Sequence, residues 1–266
     1  MNILSKKHRV LSTPELEDVV RKKAYHHKDF VFITFDDGYL NNLTVATEII
    51  KEFNLPSTLF ISTGYIGNSN HIWTDFLEDF FLNANQDEIL SFQKHIVSEI
   101  RNDTFDRIAI FNESRRYLKT TTIKKRNDIL CEISTQLPTR EGTCEEFHAF
   151  LNWEEIRQMK DCGLWTFGSH TVNHNPLTKL GYDEMLSEVT SSFQALEDRG
   201  IITGSRYFAY PEGQPSDMSQ MTRSVLEQCG VSLGFSAHVT NRQSKGLDNL
   251  ALERTLVGFE GLRFPL

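Results

Sequence analysis

The feature that most restricts this chain is an apolar run ending in two acids and a glycine. Phe30-Val31-Phe32-Ile33-Thr34-Phe35 shows no polar alternation, so both of its faces need cover, as in a strand of a parallel sheet. Asp36-Asp37-Gly38 follows directly. Leu43, Ala46, Ile50 and Phe53 then recur at helical spacing, Pro56 closes the helix, and Ser57 to Ile61 reads as another strand. Strand, helix and strand in this order form a βαβ unit, which places Asp36 and Asp37 at the C-terminal end of a strand. In α/β folds the βα loops converge there and carry the chemistry.

Further alternation follows the same plan. Trp153, Ile156 and Met159 mark a helix ending at Gly163, and Trp165-Thr166-Phe167-Gly168 is a short strand leading into Ser169-His170-Thr171-Val172-Asn173-His174. Leu186, Val189, Phe193 and Leu196 predict a helix, Tyr207 to Tyr210 a strand stopped by Pro211, and Met218 to Gln228 a helix. Strands are expected near 233–237 and 252–257. Upstream, Thr13-Pro14-Glu15 predicts a helix to about Lys23, with Thr13 as N-cap and Pro14 at the first position. Residues 71–148 differ. They read as polar, amphipathic helices at Trp73 to Leu77, Glu88 to Ile100 and Ile123 to Ile133, with no strand, and form a helical insertion.

Composition excludes several classes. With 19 Phe, 7 Tyr and 3 Trp the chain has ample apolar surface to bury, which argues against disorder. A net charge of −8 argues against a nucleic-acid binder. No apolar stretch is long enough for a transmembrane helix, and the polar start Met1 to Arg9 has no signal-peptide core, so a cytoplasmic location is expected. Cys131, Cys144, Cys162 and Cys229 are scattered without a CxxC pair and suggest neither a disulfide framework nor a thiolate metal site.

Three segments carry candidate chemistry. Adjacent carboxylates at a strand end need an offsetting charge, which a cation would supply, although Asp-Gly is also ordinary turn chemistry. His170 and His174, at i and i+4, would share one face of a helical turn and could converge on a metal, or simply sit on a surface turn. Arg206 opens the strand Arg206-Tyr207-Phe208-Ala209-Tyr210 and is either a rim charge or the partner of a carboxylate.

Together these segments resemble the NodB-type polysaccharide deacetylases, carbohydrate esterase family four. Thr34-Phe35-Asp36-Asp37-Gly38 is similar to the first family motif and Ser169 to His174 to the second. Arg206-Tyr207-Phe208-Ala209-Tyr210-Pro211 resembles the third, in the family's order. Leu151-Asn152-Trp153-Glu154-Glu155 and Pro56 to Phe60 also look like the family. The resemblance spans about 29–240, apart from the insertion. It implies an α/β fold, a distorted and incomplete (β/α) barrel of about seven or fewer strands. The chain forms a single domain over 1–266 with the helical insertion at about 71–148. The resemblance implies that Asp37, His170 and His174 bind a divalent metal, usually Zn2+, and that Asp36 is general base for the metal-bound water. Arg206 would orient Asp36, and the Tyr210 backbone N–H would help bind the oxyanion.

The chain also departs from the family. A C-terminal Leu-x-His motif, whose histidine protonates the leaving amine, is not found. Leu252-Glu253-Arg254 occupies the expected place, with Arg254 where that histidine would stand. His238 is the nearest C-terminal histidine and is either the acid or a loop residue. The strand that many relatives carry ahead of motif one is expected to be reduced or missing. Trp73 in the insertion is a candidate sugar-stacking platform or a core aromatic, and Pro211 is a second candidate on the substrate side.

The implied activity is hydrolysis of an N-acetyl or related acyl group on an amino sugar. The substrate would be a polysaccharide, a nucleotide-sugar precursor or a membrane-surface lipid-linked one, within bacterial surface-polysaccharide assembly. Competing readings are a catalytically weak glycan-binding relative, an O-deacetylase, or an amidohydrolase of a non-sugar amide. Oligomeric state is not legible.

Overall fold

A computed structural model describes residues 2–23, 30–96, 105–136, 148–238 and 248–257. The chain divides into two compact units, Met1–Ser69 with Ala149–Leu256, and Asn70–His148 with Val257–Leu266.

The first unit is built on parallel strands. β1 (Arg9–Leu11) pairs with β2 (Phe30–Phe32), and a five-stranded sheet runs in the order β3 (Thr34–Phe35), β4 (Ser57–Ile61), β5 (Trp165–Ser169), β6 (Arg206–Ala209) and β7 (Val231–Phe235). All neighbours are parallel and the order never reverses. Each new strand therefore adds to the same edge, the winding of a barrel and not of an open doubly wound sheet. The described residues contribute seven strands, in keeping with an incomplete barrel.

Side chains alternate as the pleat requires. Leu59, Ile61, Phe167 and Phe208 join a core shared with the helices α8 (Trp153–Asp161), α9 (Tyr182–Asp198) and α10 (Gln220–Gln228). Phe60, Tyr207, Ala209, Leu233 and Phe235 form the opposite cluster with Leu11 and Leu16. Phe32 of β2 stacks on Phe235 of β7 at 5.3 Å, and Phe235 meets Phe60 of β4 at 5.1 Å, so strands distant in order meet across the interior. Gly168 is required by this packing: a Cβ there would lie 2.7 Å from the Phe60 ring. The same alternation sends Thr34, Asp36, Gly168 and His170 toward the interior and its mouth.

The strand ahead of motif one is present in reduced form: β1 has three residues, and its Leu11 is buried in the interior cluster. Several local expectations need correction. The helix after β1, α2 (Thr13–Arg21), takes Ser12 as N-cap with the Glu15 capping box, and Thr13 is its first residue. Its buried Thr13 hydroxyl bonds that of Thr58 instead. The apolar run 30–35 breaks at Ile33 into two strands that serve different sheets. The helix after motif one begins as a π-helix, Asn42–Thr47, before α3 (Glu48–Phe53). Thr47 Oγ1 donates back to the Asn42 carbonyl at 2.7 Å and accepts from Trp165 Nε1 at 3.0 Å, holding the wide turn. The strand expected at 252–257 is only a bridge between Phe235 and Leu252.

The second unit contains α4 (Trp73–Asn83), α5 (Gln86–Ile96), α6 (Arg107–Thr120) and α7 (Ile123–Gln136). Residues 97–100 of the expected second insertion helix lie outside the described residues, and α6 was not anticipated. Phe80, Phe81, Phe92 and Phe111 form its aromatic centre. Arg107 donates to the Phe81 and Ala84 carbonyls, satisfying the end of α4. Among the described residues no helix is long and apolar enough to cross a membrane.

Candidate active site

Because β3 to β7 are parallel, their C-terminal ends share one edge, and the loops leaving that edge hold the candidate residues. Four non-glycine residues on these loops adopt left-handed backbone: Asp37 (φ 74°), Thr171 (φ 67°), His174 (φ 52°) and Glu212 (φ 63°). Each such residue costs about 1–2 kcal/mol. A β-branched threonine there is unusual, and strain of this kind collects at functional sites.

Asp37 turns away from the strand and is followed by Gly38 at φ 100°. Its Oδ1 lies 3.3 Å from His174 Nε2 and 3.5 Å from His170 Nε2. In a tetrahedral site with metal–ligand distances near 2.0–2.1 Å, ligand atoms stand about 3.3–3.5 Å apart. The carboxylate oxygen thus stands at ligand spacing from both imidazole nitrogens, all three atoms lie within 4.8 Å of one another, and the donor set suits zinc or a similar divalent cation.

The two histidines do not converge through a helical turn. Residues 170–174 contain no helix and bend at Val172 and Asn173, so the two imidazoles come together without the helical turn expected from the i, i+4 spacing. The bend is held from outside. Glu188 on α9 accepts from the Val172 and Asn173 backbone N–H groups, both at 2.9 Å, and from the Asn173 amide. Thr171 Oγ1 accepts from the His174 N–H at 3.0 Å. His170 is buried, and its Nδ1 lies 2.8 Å from the Ala209 carbonyl. That oxygen can only accept, so Nδ1 carries the proton and Nε2 turns its lone pair to Asp37. Burial pushes the His170 imidazole below its ordinary value although Asp36 and Asp37 pull the other way, which keeps it neutral.

Asp36 points elsewhere. Its Oδ2 is 4.0 Å from His170 Nε2, too far to complete the same set. Its two oxygens receive Arg254 Nη1 at 2.7 Å and Nη2 at 2.8 Å. Burial acts to raise the Asp36 carboxyl, but the charge and the paired hydrogen bonds of the Arg254 guanidinium outweigh it and hold the group below the usual carboxylate range. Arg206, the expected partner of Asp36, is bound to other groups. It sits at the first residue of β6, the opposite end of the strand. There it grips Glu197 through Nε at 2.8 Å and Nη2 at 2.9 Å, and donates to the Cys229 carbonyl at 2.7 Å. A strand advances about 3.3 Å per residue, so four residues separate Arg206 from the reactive edge by roughly 10 Å.

The family model for polysaccharide deacetylase matches residues 23–234. The chain belongs to the polysaccharide deacetylase family. No curated protein matches the sequence. Among solved structures, IcaB from Ammonifex degensii is similar with a TM-score of 0.58 and 19% identity, over 96% of this chain and 80% of that one. The deacetylase PplD of Streptococcus pyogenes, determined with acetate, has a TM-score of 0.55 and 18% identity, over 95% of this chain and 75% of that one. The BpsB deacetylase domain of Bordetella bronchiseptica has a TM-score of 0.55 and 16% identity, over 96% and 81%. At these identities the structures speak for the shared α/β fold.

The remaining expected residues of this deacetylase fare differently. The Tyr210 backbone N–H donates to the Phe235 carbonyl at 3.0 Å, and its hydroxyl to the Leu250 carbonyl at 3.0 Å. Both donors are used within the fold, so Tyr210 does not present an N–H to an oxyanion. Pro211 is buried, and its carbonyl accepts from Gly213 at 2.7 Å. His238 is partly exposed just past the end of β7, on the reactive edge, where Ser236 Oγ approaches its carbonyl at 3.4 Å. Trp73 is not an exposed platform: it is 6% exposed within the second unit, with the Arg126 guanidinium 5.0 Å from its ring centre. It is a core aromatic. The same unit buries Asp75, Glu78 and His148 close together.

Proposed function

We propose that this deacetylase is a metal-dependent hydrolase that removes an N-acetyl or related acyl group from an amino sugar. The observation that carries the reading is the spacing of Asp37 Oδ1 at 3.3 and 3.5 Å from the two histidine Nε2 atoms, beside a second carboxylate held apart from that set. Asp37, His170 and His174 would hold the ion. When bound, a divalent cation such as zinc lowers the pKa of water and polarises an acyl oxygen.

The chain's own residues supply the rest. Asp36, held ionised below the usual carboxylate range, is the general base that takes the proton from the attacking water. The contact of His170 with the Ala209 carbonyl fixes its tautomer, and the Glu188 brace fixes the bend that carries His174. The substrate is an acylated sugar of a glycan, glycolipid or nucleotide-sugar precursor.

One observation keeps an O-acyl substrate in view. The place of the family's C-terminal histidine is taken by Arg254, whose donors go to Asp36, Thr34 and Ser236. An ester alkoxide leaves with less help from an acid than an amine does. Acetate release from N-acetyl and O-acetyl sugars, with and without chelator, tests both readings. The expected result is metal-dependent release from at least one class. No release from either after zinc or cobalt is added would refute the enzyme reading.

A further inference from the structure

We infer that Arg254, which lies beyond the last strand, is the positioning residue for Asp36. This inference rests on the reading of Asp36 as general base. The third motif places no arginine near Asp36, since Arg206 is committed to Glu197 and the Cys229 carbonyl at the far end of β6.

The geometry of Arg254 is that of a clamp. Nη1 and Nη2 reach separate oxygens of Asp36 at 2.7 and 2.8 Å, the paired fork in which a guanidinium fixes both position and plane of a carboxylate. The clamp is itself anchored twice. Nε donates to the Ser236 carbonyl at 2.8 Å, just past β7, and Nη1 also reaches Thr34 Oγ1 at 3.1 Å, on β3. The guanidinium lies 5.5 Å from the centre of the Phe60 ring in the interior cluster, and only 9% of the side chain is exposed. Arg254 therefore ties Asp36 to β3 and to the end of β7, and holds its carboxylate away from the Asp37–His170–His174 set. Without it Asp36 is free to rotate toward the imidazoles, 4.0 Å away, and to lose the geometry a base needs.

A displacement of about 1 Å at a reacting group costs on the order of 100-fold. Arg254→Ala is accordingly expected to lower kcat about 100-fold, with KM and zinc stoichiometry unchanged. Added guanidinium should restore part of the loss, and Arg254→Lys, which keeps the charge without the fork, should lose less than Arg254→Ala. A folded, zinc-loaded Arg254→Ala with wild-type kcat would overturn the inference. So would a loss that guanidinium does not relieve. If the wild type itself releases no acetate, the deacetylase reading fails and the clamp is tested separately, by a thermal double-mutant cycle of Arg254→Ala with Asp36→Ala. Non-additive losses support the pairing, and additive ones overturn it.

Discussion

Two arginine–carboxylate forks stand at opposite ends of this sheet. At the reactive edge Arg254 grips Asp36 with contacts of 2.7 and 2.8 Å, and at the other end Arg206 grips Glu197 with contacts of 2.8 and 2.9 Å. The hydrogen bonds are nearly the same. The neighbours differ. Asp36 adjoins two imidazoles and a second carboxylate, and the Arg254 side chain is 9% exposed, while Glu197 and Arg206 are each about 30% exposed with an α-helix and a carbonyl for company. The two forks differ in what surrounds them and in which end of a parallel strand they occupy, and on the proposed reading only the one at the reactive edge bears on catalysis.

The largest effect should come from the acidic member at the reactive edge. Asp36→Asn keeps the size and removes the proposed base, so turnover should fall by at least about 1,000-fold while metal binding survives, measured as acetate release beside metal content. A variant that kept more than a tenth of wild-type turnover would erase the distinction between the forks. Weakening the support around the site should cost less. Glu188→Ala removes the acceptor that braces the bend carrying His174, and zinc affinity should drop about 10–100-fold in a competition titration, as for other groups just outside a ligand shell. Unchanged affinity would show that the bend is held without Glu188.

Smaller still are changes that act on the scaffold alone. Gly168→Ala forces a Cβ against the Phe60 ring, an overpacking worth about 1–3 kcal/mol, read in thermal unfolding with little change in turnover of the folded enzyme. Arg206→Gln breaks the distal fork. A partly exposed pair of this kind is worth about 1 kcal/mol, so Tm should fall by roughly 2–4 °C while kcat remains that of wild type. A large loss of kcat in Arg206→Gln would mean that the distal fork matters to chemistry after all.

How much of this was legible beforehand depends on range. The parallel sheet was, because continuous apolar runs such as Phe30 to Phe35 and Ser57 to Ile61 have few other uses. That Asp37, His170 and His174 come together follows from the family resemblance, but the way they meet does not. The bend depends on left-handed Thr171 and on Glu188, a side chain one helix away, and neither leaves a periodic trace. β1 has no position in the sequence pattern because three residues are too few to show alternation. Arg254 was missed for the most physical reason: its partner lies 218 residues earlier, and only the closing of the barrel brings the two together. The third motif points to Arg206 instead, an arginine on the strand next in order to the one that leads into His170. The one available signal was Arg254 itself, a charged residue in the slot of an expected histidine.

The central claim is a division of labour between neighbouring carboxylates, Asp37 with the metal and Asp36 without it. Equilibrium dialysis of zinc against the wild type, Asp36→Asn, Asp37→Asn and His174→Ala tests it most directly. The account predicts one tightly bound equivalent for the wild type and Asp36→Asn, and loss of that equivalent for Asp37→Asn and His174→Ala. Equal binding by all four proteins, or loss of zinc from Asp36→Asn alone, would contradict it.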